Sequence, residues 1–338
     1  MENKKKFNFF VWLLDKREVT IICLLFIMCV VLSLTTDTFF QFTNFMNIVK
    51  QASIGVVLAC GITFIISSGG IDLSMANNMC FDSVMICVIF NWLSKPDETS
   101  LGLPAWVGSL VAAIAGIALG ALIGLLNGTC VMKLGLPPFI VTMGVQNIVL
   151  GFGQIITKGY PIQFSTKAWM YAVGQLNSFK VIPNLLWFIP IFCAIAHILL
   201  RKTVLGNRLL ACGGNMTAAR LSGLPVVKLK ILAYVIGGMF AGVAGYMCAG
   251  RLNAGNPTAA GTLGMDAICA SVIGGTSMAG GGGSPFGAML GAFLMQLIKN
   301  LLIQYEVNIY WQTTVLGVVL IAVCTLDTIA RKVGEANA

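Results

Sequence analysis

Residues 105–132 read AWVGSLVAAIAGIALGALIGLLNGTCVM, and no charged side chain interrupts them. A hydrocarbon core about 30 Å thick is crossed by about 20 apolar residues rising 1.5 Å each. The stretch is therefore long enough to cross a membrane by itself. Gly116, Gly120, Gly124 and Gly128 recur every fourth residue and share one helix face. A stripe without side chains lets a neighbouring backbone come close, and such packing drives helix association in lipid. The ladder has two readings: tight packing inside one subunit, or a helix that slides or meets another subunit. Gly238 with Gly242, and Gly283 with Gly287 and Gly291, repeat the device.

The rest of the 338-residue chain has the same character. It is 57% hydrophobic and 10% charged, with a mean hydropathy of +0.89. Soluble domains carry about 25% charged residues, so the class is an all-α polytopic membrane protein. Ten candidate spans follow from apolar run length, at about 19–35, 48–68, 74–93, 105–132, 138–157, 185–200, 227–250, 260–275, 285–305 and 311–330. The eighth is short, carries Asp266, and reads as broken or re-entrant. Ahead of the first span, 1–18 is a cytoplasmic or interfacial segment, with Phe7 to Leu14 lying on the membrane surface. The membrane-spanning body occupies 19–332 as one domain, and 333–338 is a cytoplasmic tail.

With ten spans and both termini cytoplasmic, 14 of the 21 Lys and Arg fall on the cytoplasmic side, as the positive-inside rule expects. Six of them, Arg201, Lys202, Arg208, Arg220, Lys228 and Lys230, sit in one segment without an acidic residue. The loop 201–226 inside it holds a small-residue core from Gly213 to Gly223. Flanked by Gly213-Gly214 and by Gly223 with Pro225, a short helix there reads as a rigid knob on two hinges.

Charged groups inside a bilayer are costly and face a cavity or a partner. Asp72 opens the third span after Gly69-Gly70, as an N-terminal cap or a pathway residue. Asn78 and Asp82 lie four residues apart on one face of that span. Asp82→Asn is expected to alter uptake without loss of assembly. With Asn127, Gln146, Asn147 and Asp266 they form the candidate substrate pathway, and this amide-rich set favours a neutral polar solute.

Other chemistries are excluded by count. His197 is the only histidine, and ten of the eleven cysteines lie in apolar spans, Cys212 excepted. Neither a metal cluster nor a catalytic triad is encoded. No GxxxxGK[ST] phosphate loop occurs, so no cofactor is expected on this chain. The basic residues do not form a face with aromatics, and no nucleic acid is implied.

Four blocks carry a resemblance over about residues 20–330. They are Gly70-Ile71-Asp72-Leu73-Ser74; Gly213-Gly214-Asn215 with Ala218-Ala219-Arg220-Leu221-Ser222-Gly223; Arg251-Leu252 with Asn256-Pro257-Thr258-Ala259; and Asp266-Ala267-Ile268 with Gly274-Gly275-Thr276-Ser277-Met278-Ala279-Gly280-Gly281. The chain resembles the permease subunits of ribose-type sugar ABC importers. The resemblance implies a permease with no catalysis of its own, paired with a second permease, homo- or heterodimeric. Two ATPase subunits would bind ATP and Mg, and a periplasmic or lipid-anchored sugar-binding protein would deliver a monosaccharide at the bacterial inner membrane. Gly213, Gly214, Asn215, Ala218, Ala219, Arg220, Leu221, Ser222 and Gly223 would be the ATPase-coupling residues. Thr217 stands where an acidic residue usually precedes the two alanines, and Met265 where one usually precedes Asp266. The competing readings are a secondary transporter using Asp82 or Asp266 as an ion site, and an ABC permease for nucleosides or another small polar solute.

Overall fold

The computed structural model describes residues 17–36, 39, 41–94, 100–165, 169–178, 182–308, 310–319, 321–322 and 325. The surface helix expected at Phe7 to Leu14 and the tail 333–338 lie outside the described residues. The helices are α1 (Arg17–Thr35), α2 (Phe42–Ser67), α3 (Met75–Ser94), α4 (Ala105–Lys133), α5 (Pro138–Thr157) and the short α6 (Trp169–Gln175). They continue as α7 (Phe188–His197), α8 (Val204–Gly214), α9 (Met216–Leu221), α10 (Val226–Leu252), α11 (Leu263–Ile273) and α12 (Pro285–Gln304). Residues 310–319 are helical as well.

Eight helical segments among the described residues are long and apolar enough to cross a membrane. They correspond to the first seven and the ninth of the ten sequence candidates. The sixth, Asn184–Lys202, joins a 3-10 turn, α7 and a π-turn into one rod. The eighth candidate contains only α11, whose 11 residues span about 16 Å. The glycine-rich stretch that follows, from Gly274 to Gly283, carries no helix. Two two-residue ladders interrupt the all-α pattern. One pairs β1 (Ile162–Gln163) with β4 (Ala254–Gly255), and the other pairs β2 (Asn177–Ser178) with β3 (Ile182–Pro183), both antiparallel.

α2 and α10 form the centre and are the most buried of the spans. The α4 ladder closes on α10: a Cβ placed on Gly120 would lie 2.3 Å from the Gly238 carbonyl oxygen, and one on Gly124 2.2 Å from that of Tyr234. No side chain fits there, so four glycines on one face let two backbones touch. All four α4 glycines meet α3 or α10 of the same chain, which selects packing inside one subunit. Gly287 and Gly291 of α12 meet Gly274 and Ala270 of the α11 arm in the same manner.

Candidate functional site

The seven pathway candidates separate into three places. Asp72, Asn78, Asp82 and Asn127 line an internal seam between α3, α4 and α10. Asp72 Oδ1 accepts from the backbone and hydroxyl of Ser74 at 2.8 and 2.6 Å, and its Oδ2 accepts from Asn127 Nδ2 at 3.1 Å. Tyr234 Oη donates to the Ile71 carbonyl at 3.1 Å. These bonds clasp the α2–α3 break to α4 and α10. Burial pushes the Asp72 carboxyl up, and the Ser74 and Asn127 hydrogen bonds oppose that shift. Asp82 is fully enclosed, and neither of its oxygens has a hydrogen-bond partner. Its Oδ2 lies 2.8 Å from the position a Gly120 Cβ would take.

Gln146 and Asn147 lie on α5, away from that seam. Asn147 is exposed, and so are Gly144 and Gln154 on the same helix. At spacings of three and seven residues, Gly144, Asn147 and Gln154 fall on one face. Amides on the surface of a membrane span require water or another protein surface, because lipid offers them no partner.

Asp266 belongs to a third place. A cavity of about 330 Å³ opens between α2, α10, α12 and residues 310–319, lined among others by Gln51, Arg251, Thr262, Gln296, Lys299 and Gln312. A smaller neighbouring pocket shares Gln51, Gln296 and Lys299 and adds Asp266. The Lys299 ammonium pairs with the Asp266 carboxylate and donates to Thr262 Oγ1 at 3.0 Å. None of Gln51, Gln296, Lys299 and Gln312 was among the pathway candidates of the sequence. Lys299 three residues after Gln296, one helical turn on, was the only local signal.

The basic loop folds into α8 and α9. Asn215 caps α9, its Oδ1 accepting from the Ala218 amide at 2.9 Å. Thr217, Ala218, Arg220, Leu221, Ser222 and Gly223 are exposed, with Leu221 84% accessible, while Ala219 is buried beneath them. Gly223 has φ +78°, which ends the short helix in a conformation glycine adopts without strain. The Gly213 end is a contact rather than a free hinge. A Cβ there would lie 1.9 Å from the Ser67 carbonyl oxygen and 2.7 Å from the Gly281 amide. That amide donates to that same oxygen at 2.9 Å. Three segments thus converge: the end of α2, the glycine-rich stretch before α12, and the end of α8. Beside them Cys212 is buried; burial pushes its thiol up, and the Lys230 ammonium opposes the shift.

Among the described residues no group of three or more His, Cys, Asp or Glu is placed to hold a metal ion. No solved structure was found to match the chain. Three curated relatives align over nearly the whole length. The ribose import permease protein RbsC of Escherichia coli is 33% identical over 318 residues, 94% of each chain. The galactose/methyl galactoside import permease protein MglC of Haemophilus influenzae is 31% identical over 344 residues, 97% of each. The ribose import permease protein RbsC of Bacillus subtilis is 30% identical over 303 residues, 90% of each. Residues 44–324 match the family model described as branched-chain amino acid transport system / permease component. With that match over most of the length, and a helical body built to cross the membrane many times, the chain belongs to this permease family.

Proposed function

We propose that the chain is the membrane-spanning permease subunit of an ATP-driven importer and forms the translocation path for a monosaccharide. The observation that carries this is likeness to ribose and galactose permeases over at least 90% of both chains. ATP hydrolysis belongs to a separate cytoplasmic ATPase, which binds the nucleotide and Mg. The exposed, capped knob α9 is the surface offered to it. A sugar-binding protein delivers the solute at the opposite end, in the inner membrane of a bacterium. A second permease subunit covers α5, giving the Asn147 and Gln154 amides a protein or aqueous environment. The ion-coupled alternative is weaker, because Asp266 is already paired with Lys299 and Asp82 has no oxygen ligand hydrogen-bonded beside it.

Leu221→Glu and Ala218→Glu test the docking surface without touching the core, since both side chains point outward. Co-purification of the ATPase and uptake of labelled ribose and galactose are both expected to be lost. Variants that retain a full complement of ATPase and normal uptake would remove α9 from the contact.

A further inference from the structure

The cavity beside Asp266 lies at the end of the molecule opposite the basic loop. Gln51 precedes Ser67 by 16 residues of α2, about 24 Å along the helix. Lys299 follows Pro285 by 14 residues of α12, about 21 Å. Arg251 ends α10, whose first turns lie beside the loop.

Two amide pairs join α2 to α12, and they differ in kind. Asn44 and Asn300 donate to one another, at 3.5 and 2.8 Å, so the pair is closed on itself. Gln296 Nε2 donates to Gln51 Oε1 at 3.1 Å, and nothing is returned. The Gln51 NH₂ and the Gln296 carbonyl have no other hydrogen-bond partner among the described residues, and both side chains line the cavity. A donor beside an acceptor is the complement of two neighbouring hydroxyls, each of which donates and accepts. The Lys299 ammonium has three protons, of which Thr262 and Asp266 engage two. Its charge is balanced by Asp266, so the pair offers polarity without a net charge and Arg251 is the remaining charged group of the cavity wall. Ile54 and Leu316 add apolar wall for the C–H face of a solute. The volume of about 330 Å³ is at the small end of ligand pockets.

We infer that this cavity holds the transported solute, a small neutral polyhydroxylated molecule, and that Gln51 and Gln296 together grip two of its neighbouring hydroxyls. The inference rests on the sugar-permease reading. It also gives the basic loop a means of releasing the solute. The two helices that carry the amide pair are the two whose far ends, Ser67 and the Gly281–Pro285 stretch, meet at Gly213. A push on Gly213 bears on both helices at the ends opposite the two glutamines.

The test uses cells producing the whole transporter, with labelled D-ribose and D-galactose as probes. Wild-type cells that take up neither sugar overturn the permease reading, and the cavity assignment with it. Where the wild type transports, Gln51→Leu combined with Gln296→Leu is expected to lower initial uptake roughly ten-fold or more. Membrane content and co-purified ATPase should stay unchanged. Wild-type uptake by this variant overturns the cavity alone. If the double variant does not reach the membrane, Ala259→Cys at the rim replaces it. A membrane-impermeant maleimide, corrected for labelling of the parent chain, reports its access. The transported sugar should slow labelling several-fold and D-gluconate should not. Labelling indifferent to the sugar, or better protection by gluconate, overturns the proposal.

Discussion

Gly213→Ala is expected to leave the ATPase attached and to stop it from driving transport. The new methyl carbon would stand 1.9 Å from the Ser67 carbonyl oxygen and 2.7 Å from the Gly281 amide nitrogen. Both are backbone atoms, so neither can swing aside as a side-chain tip does. The hydrogen bond between them, 2.9 Å long, lies directly beneath. Overpacking a closed site costs about 1–3 kcal/mol, and a lost hydrogen bond about 0.5–1.5 kcal/mol more. A total of about 2–4 kcal/mol corresponds to roughly 30-fold to 1,000-fold in the equilibrium between the packed and parted junction. Gly214→Ala is the control. Its methyl would meet only the Gly281 Cα, at 3.5 Å, an ordinary contact. The assay is ATP hydrolysis and sugar uptake measured on the same membranes. Gly213→Ala should retain ATPase co-purification, because the exposed face of α9 is untouched, and lose most uptake per ATP. Wild-type uptake by Gly213→Ala, or equal damage from Gly214→Ala, refutes the junction.

Removing the Lys299 partner should be harsher than removing the pair. Lys299→Met leaves a buried Asp266 carboxylate and should cost about 3–5 kcal/mol, whereas Lys299→Met with Asp266→Leu should recover most of it; thermal unfolding in detergent reads the difference, and an additive double variant contradicts the pairing. Asp82 is enclosed with no partner for either oxygen, so Asp82→Asn takes an ionisable group out of the interior, although the amide stays polar. Its apparent Tm should rise by about 2 °C or more with uptake unchanged, in place of the altered uptake that the sequence suggests. A fall in Tm would point to a donor serving that carboxylate.

Much of the architecture was legible because membrane crossing depends on run length, which is a local property. The boundaries of α4 and α5 follow the apolar stretches to within a residue. The α11 arm was visible as a short run holding a charge. Its true form, an 11-residue helix followed by a glycine-rich stretch of backbone, depends on Gly274 and Ala270 meeting α12. The polar residues were harder. Asp72 was read as a cap or a pathway residue; it closes a turn onto Ser74 just ahead of α3, and its bond to Asn127 crosses 55 positions of sequence. Gln51 and Gln296 are 245 residues apart and carry no local mark of their pairing.

By itself the sequence determined that this chain lives in a membrane, on which side its long basic loop is expected, and which glycine face lets helices touch. Those follow from hydropathy, charge and the absence of a side chain, each readable residue by residue. Only the tertiary structure decided which face each polar group shares. It enclosed Asp82 between α3, α4 and α10 and brought Gln51, Gln296 and Lys299 round Asp266. Amides and carboxylates take their roles from the partner they meet, and helices distant in the chain supply that partner.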